Sequence, residues 1–191
     1  MSIIYYPDHQ VFKLDTNQTT YAFRVDEYGY LEQLHFGGRI SDGAEAAALG
    51  FRLFRSFCPY PDGGTPLLSR DHMAQEYSTH AVGDYRTAAA IVRTADGVNS
   101  TDLKYVSHRI YSGKKPLPGL PASFATPESP AETLEIVLVD AVSQVEFILS
   151  YSVFACCDVI ARSVRVVNRS PRPVYLEKVM SCCLALPNRP L

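Results

Sequence analysis

The chain contains no tryptophan, only three methionines, and a net charge of just −2 across 191 residues. With 18 basic against 20 acidic side chains it offers no electrostatic footprint for nucleic acid, whose binding rests on neutralising phosphates. No uninterrupted apolar run approaches the roughly 20 residues that span a bilayer, so no membrane segment is expected. The start, Met1-Ser-Ile-Ile-Tyr-Tyr-Pro-Asp8, lacks the basic region and long apolar stretch of a secretory signal. The cytoplasm is the expected compartment. A glycine-rich phosphate loop, an H-E-x-x-H helix, a C-x-x-C pair and a nucleophile elbow are all missing. The five histidines show no metal-ligand spacing, and neither a metal nor a cofactor is expected. His72 and His80 bracket a loop and are the two to inspect. Carboxylates are scattered, with no spacing that separates an acid from a nucleophile, so no catalytic residue is expected in this segment.

What is present is alternation. Leu134, Ile136 and Leu138 share one side of Thr133 to Asp140, and Val145, Phe147, Leu149, Tyr151 and Val153 share one side of the next run. Successive strand side chains face opposite ways, so such runs bury one face. Further runs at Val159 to Asn168 and Val174 to Leu184 flank the turn Arg169-Ser-Pro-Arg172, predicting four consecutive antiparallel strands in one layer. Upstream, Tyr21, Phe23 and Val25 alternate, and Glu27-Tyr28-Gly29 turns the chain into a run where Leu34 and Phe36 continue the pairing. Thr87 to Ala95 and Leu103 to Tyr111 are further strands, the second with Val106 and Ile110 on one face. Asp42-Gly-Ala-Glu45 has capping-box spacing and predicts one short helix. The fold class is all-β, an antiparallel two-sheet sandwich with at most one short helix and roughly ten strands.

Two stretches break the pattern. Cys58-Pro-Tyr-Pro-Asp-Gly-Gly-Thr-Pro66 disfavours strand and helix alike and predicts an exposed loop of a length that is often functional. Gln75-Glu-Tyr77 and Gly83-Asp-Tyr-Arg86 concentrate polar and aromatic groups on irregular backbone. They either fasten a loop to the sheet, through Glu76 and Arg86, or hydrogen-bond and stack on a sugar. Of the five cysteines, Cys156-Cys157 and Cys182-Cys183 are adjacent pairs. An odd count without a signal favours reduced, core-filling thiols. A hairpin centred on Ser170-Pro171 would set Cys157 opposite Cys183 or Leu184, within reach of a disulfide or a soft metal.

Gly29-Tyr-Leu, His35-Phe-Gly-Gly-Arg39, Gln75-Glu-Tyr77, Gly83-Asp-Tyr-Arg86, Asp102-Leu-Lys-Tyr-Val-Ser-His-Arg-Ile-Tyr111, Leu117-Pro-Gly-Leu-Pro-Ala122, Glu132-Thr-Leu-Glu-Ile-Val-Leu138 and Asp158-Val-Ile-Ala-Arg-Ser-Val-Arg165 follow one another in order. In order and spacing they closely resemble the N-terminal region of family 36 glycoside hydrolases, the bacterial α-galactosidases. The resemblance implies that residues 1–191 form the N-terminal part of a β-supersandwich, with a (β/α)8 barrel and a smaller β domain following. It implies a metal-free retaining hydrolysis of terminal α-linked galactose from melibiose and raffinose-type sugars, performed by two barrel aspartates outside this sequence. The segment by itself is then inactive, with its own polypeptide's barrel as partner and a homo-oligomer, a tetramer, as the assembly. Truncation is expected to expose an edge and make the isolated segment self-associate. The resemblance further implies that the Arg52–Pro66 loop reaches a neighbour's active site. Some relatives have Asp where Phe54 precedes Arg55-Ser-Phe57, so Phe54 replaces a polar contact with an apolar face. Phe54, Arg55, Tyr60 and Asp62 are the candidate substrate-adjacent residues. The rival reading is a stand-alone sugar-binding or structural sandwich.

Overall fold

A computed structural model describes residues 2–50, 69–119 and 121–186. Strands β1 (Ile3–Tyr6), β2 (Val11–Asp15), β3 (Thr19–Val25) and β4 (Leu31–Gly38) form an antiparallel meander in chain order. The connection from β3 to β4 turns at Gly29, whose φ of +85° is open to glycine without strain, and Gly29 N donates to Asp26 O at 3.0 Å. A helix, α1 (Gly43–Ala48), follows. Its Ala46 is buried with Val11 and Ala22, which point away from the main core, so the helix covers the meander's outer face. Glu45 accepts from Ser41 Oγ at 2.9 Å at the helix start.

The second sheet holds β6 (Leu103–Ser112), β7 (Glu132–Asp140), β8 (Val145–Phe154) and β9 (Val159–Asn168), again antiparallel in chain order. The β7 and β8 side chains that alternation assigns inward are buried, and they meet Phe12, Leu14, Tyr21 and Phe23 of the first sheet in one cluster. Phe23 and Tyr151 bring their ring centroids to 5.1 Å across the layers. Each large apolar side chain so buried contributes about 1.5–3 kcal/mol. Glu132 Oε2 joins the sheets at one end, accepting from the Ser2 and Ile3 amides at 2.7 and 2.9 Å.

Four local expectations are corrected. The run Val174 to Leu184 does not return alongside β9. Its strand, β10 (Val174–Val179), pairs instead with β5 (Ala90–Thr94) as a separate two-stranded sheet. Ala90 and Val92 of β5 and Val174 of β10 pack in the main core, and Arg172 forks onto Asp96 at 2.6 Å beside the β5 turn. The proposed Cys157–Cys183 juxtaposition therefore does not form. Cys156 and Cys157 lie against Ser129, whereas Ser78 Oγ donates to Cys183 Sγ at 3.6 Å. Val106 and Ile110 do not share a face either. A bulge lies between Tyr105 and Ser107, leaving Val106 58% exposed while Ile110 packs on the core. Likewise Leu34 is an extra residue opposite Ala22 and Phe23, and it turns toward α1.

Candidate functional site

The substrate-adjacent candidates Phe54, Arg55, Tyr60 and Asp62 lie outside the described residues. The second cluster is fully placed. Residues 69–89 form an irregular segment tied to β4 by the isolated bridge between Glu32 and Gln75. A buried guanidinium organises it. Arg70 donates to Gln75 Oε1 at 2.9 Å, Thr79 Oγ1 at 3.2 Å, and Val82 O and Asp102 Oδ1 at 3.3 Å, while its face covers the Tyr30 ring. Gln75 returns hydrogen bonds to Arg70 O and to the buried Asp84 carboxylate. Arg86 grips Asp84 from outside at 2.8 and 2.9 Å, and also donates to the Arg70 and Met73 carbonyls. The hydrogen bond to Asp84 is the main cause raising the Arg86 pKa. Ala81 and Val82 both adopt left-handed backbone, with φ of 65° and 54°, a conformation that costs of order 1–3 kcal/mol per residue and persists because surrounding bonds fix it.

Glu76 points the opposite way, into the space between the main sheets, and is 0% exposed. The Tyr21 hydroxyl donates to one carboxylate oxygen; the Tyr151 hydroxyl at 2.8 Å and Arg162 at 2.6 Å share the other. Arg162 lies over both tyrosine rings, 4.7 Å from the Tyr151 centroid. Burial pushes the Glu76 carboxyl upward, opposed by Arg162 and the two phenols, and it also drives both tyrosines well above their ordinary range. For Arg162, burial works against the cation, but attraction to Tyr151 and Glu76 outweighs it and raises its pKa. We regard the pair as a charged guanidinium–carboxylate contact, since removing either charge would strand the other in the interior.

These contacts leave little for a ligand. Glu76, Tyr77, Gln75 and Asp84 are buried, and only Tyr85 and Arg86 of the cluster face solvent. Tyr77 spends its hydroxyl on Met180 O at 2.9 Å. His80 stands edge-on to Tyr85, and His72 lines a cavity of about 760 Å³ with Gln33, His35, Phe36 and Leu186. Among the described residues no three His, Cys, Asp or Glu side chains converge as metal ligands would. No helix among the described residues is long and apolar enough to cross a membrane. Sequence reasoning missed Arg70, Tyr21, Tyr151 and Arg162. The available signal was an arginine at position 162 on a half-buried strand, a cation needing an internal partner.

The model of the glycosyl hydrolase family 36 N-terminal domain matches residues 29–191. The chain belongs to that family. Alpha-galactosidase 1 of Pediococcus pentosaceus is 44% identical over 174 residues, which cover 91% of this chain and 24% of that protein. The galactosidase domain of AgaSK, a bifunctional alpha-galactosidase/sucrose kinase of Mediterraneibacter gnavus, superposes with a TM-score of 0.89 at 39% identity, covering 95% of this chain and 25% of that one. AgaA of Geobacillus stearothermophilus, solved in complex with raffinose, superposes with a TM-score of 0.84 at 37% identity over 90% of this chain and 24% of its own. This family 36 domain thus spans about a quarter of the length of the relatives it matches. The all-β sandwich with one short helix is the fold they share with it.

Proposed function

We propose that this chain is the non-catalytic N-terminal domain of a cytoplasmic, retaining α-galactosidase that removes terminal α-linked galactose from melibiose and raffinose-type sugars. In this reading, residues 1–191 belong to a supersandwich whose polypeptide continues into a catalytic barrel. The domain acts as a scaffold and as an oligomerisation surface in a tetramer. The single observation carrying the reading is its similarity, over nearly all its length, to one region of several enzymes called α-galactosidases, one of them solved with raffinose. The described polar groups support a scaffolding role, because Glu76, Asp84, Arg70 and Arg162 are turned onto protein atoms. The loop carrying Phe54, Arg55, Tyr60 and Asp62 is the proposed contact with a neighbouring active site, with Phe54 packing on a sugar face.

The test is hydrolysis of a chromogenic α-galactoside by the 191-residue chain, alone and mixed with a separately expressed barrel and C-terminal region from the same polypeptide. Inactivity alone and activity on mixing is the expected result. Turnover by the chain alone overturns the scaffold reading.

A further inference from the structure

The turn from β8 to β9 carries two adjacent thiols that the scaffold does not use. Cys156 and Cys157 share one 3-10 turn, Ala155–Cys157; both are exposed, and their Sγ atoms stand 3.5 Å apart. Ser129, from the connection between β6 and β7, places its Oγ 3.5 Å from Cys156 Sγ and 3.4 Å from Cys157 Sγ. The Ser129 hydroxyl and then the Cys157 thiol, each hydrogen-bonded to Cys156, hold the Cys156 thiol below its ordinary range. The thiolate is the nucleophilic form, and an exposed, acidified thiol beside a second thiol able to resolve it is the arrangement of a redox sensor.

We propose that Cys156 and Cys157 form a two-electron redox site that takes a hydroperoxide as oxidant and closes into a disulfide between neighbouring residues. The Cys156 thiolate attacks a peroxide oxygen, the O–O bond breaks, and with hydrogen peroxide one water leaves after protonation. Cys156 is then a sulfenic acid. Cys157 Sγ attacks that sulfur, the S–O bond breaks, and the hydroxide departs with the Cys157 proton as a second water. Two thiols and one hydrogen peroxide give one disulfide and two waters, with two electrons passing from sulfur to oxygen.

Closure draws the sulfurs from 3.5 Å to about 2.05 Å, which the 3-10 turn must absorb. That turn is fastened to the first sheet. Asp158, at a left-handed φ of 54°, accepts from Thr16 Oγ1, from Thr19 Oγ1 at 3.3 Å and from the Gln18 amide at 3.4 Å. Asn17 N donates to Ala155 O at 3.2 Å. Oxidation is therefore felt at the turn between β2 and β3.

The chain is exposed to hydrogen peroxide, its remaining thiols are alkylated, and the digest is read by mass spectrometry. The peptide holding both residues is expected to become two hydrogens lighter and to refuse alkylation, roughly tenfold sooner than Cys182 changes. Dithiothreitol reverses the change. In Cys157→Ser, a dimedone adduct accumulates on Cys156, and Ser129→Ala slows its formation. Amides of Asn17 to Thr19 exchange faster in the oxidised chain. Alkylation of both thiols at the untreated rate after peroxide, direct passage to sulfinic acid, or pairing with Cys58, Cys182 or Cys183 would each overturn the proposal. An unchanged Cys156 rate in Ser129→Ala would remove Ser129 from it.

Discussion

Glu76 and Arg162 meet at 2.6 Å between the two sheets, the carboxylate supplied by an irregular segment and the guanidinium by strand β9. The Arg162 backbone is fixed opposite Tyr151 in the β8–β9 ladder, and the Glu76 amide donates to Leu31 O at 3.0 Å. Each side chain is held by the other and by the two tyrosines between which they lie.

Removing one charge strands its partner. Arg162→Met is expected to destabilise the domain by about 3–5 kcal/mol, read as a lower urea midpoint at unchanged slope. The double variant Glu76→Met/Arg162→Met should cost less than Arg162→Met alone. A double variant at least as unstable as the single one would show that the contact is not a charged pair.

Phe147 is wholly buried in the shared core, against Tyr77 at 5.8 Å between centroids. Phe147→Ala should cost about 3–5 kcal/mol through lost transfer energy and the cavity left behind. Thermal unfolding measures this, and a loss below about 1 kcal/mol would mean the sheets close over the gap.

The Asp84–Arg86 grip acts locally. Arg86→Met leaves the buried Asp84 carboxylate with Gln75 and the backbone amide of residue 86, and costs about 1–3 kcal/mol. Amide exchange should accelerate across residues 69–86 and stay unchanged in β7 and β8. Uniform acceleration would instead signal global loss of stability.

Asp158 gives a pH dependence with a definite sign. The hydrogen bond from Thr16 holds its carboxyl below the usual 3.8. A folded pKa beneath the unfolded one contributes stability that is present above the unfolded value and lost as pH falls through the folded value. Asp158→Asn should thus be less stable than the parent at pH 7, with the gap closing in acid below the usual 3.8. A gap independent of pH would mean the docking owes nothing to the charge.

The strands were legible because burial imprints a period of two, as at Tyr21, Phe23 and Val25 or Val145, Phe147 and Leu149. What periodicity does not carry is the partner. Val174 to Val179 alternates as a strand should, but nothing in it encodes pairing with β5; that choice goes with packing against residues far away in the chain, such as Val92 and Ala90. Bulges were invisible for a related reason. One extra residue at Val106 reverses every later side chain, and it shows only in the register against the partner strand. At the polar cluster, Gln75, Glu76, Asp84 and Arg86 were legible as a group. That Glu76 turns between the main sheets while Gln75 and Asp84 turn onto Arg70 and Arg86 follows from Tyr21, Tyr151 and Arg162, which only the folded chain brings near.

The Glu76 knot also has a bearing on how the domain is made. Tyr151 and Arg162 face each other across the β8–β9 hairpin, but Glu76 and Tyr21 lie 55, 75 and up to 141 residues from their partners, so the hairpin alone cannot complete it. The loop-closure entropy of such contacts is met only once both sheets have docked. The knot therefore belongs to the late, native side of the folding barrier. Weakening it should leave the rate of folding nearly untouched and hasten unfolding, so that this buried quartet acts as a latch on the lifetime of the folded state.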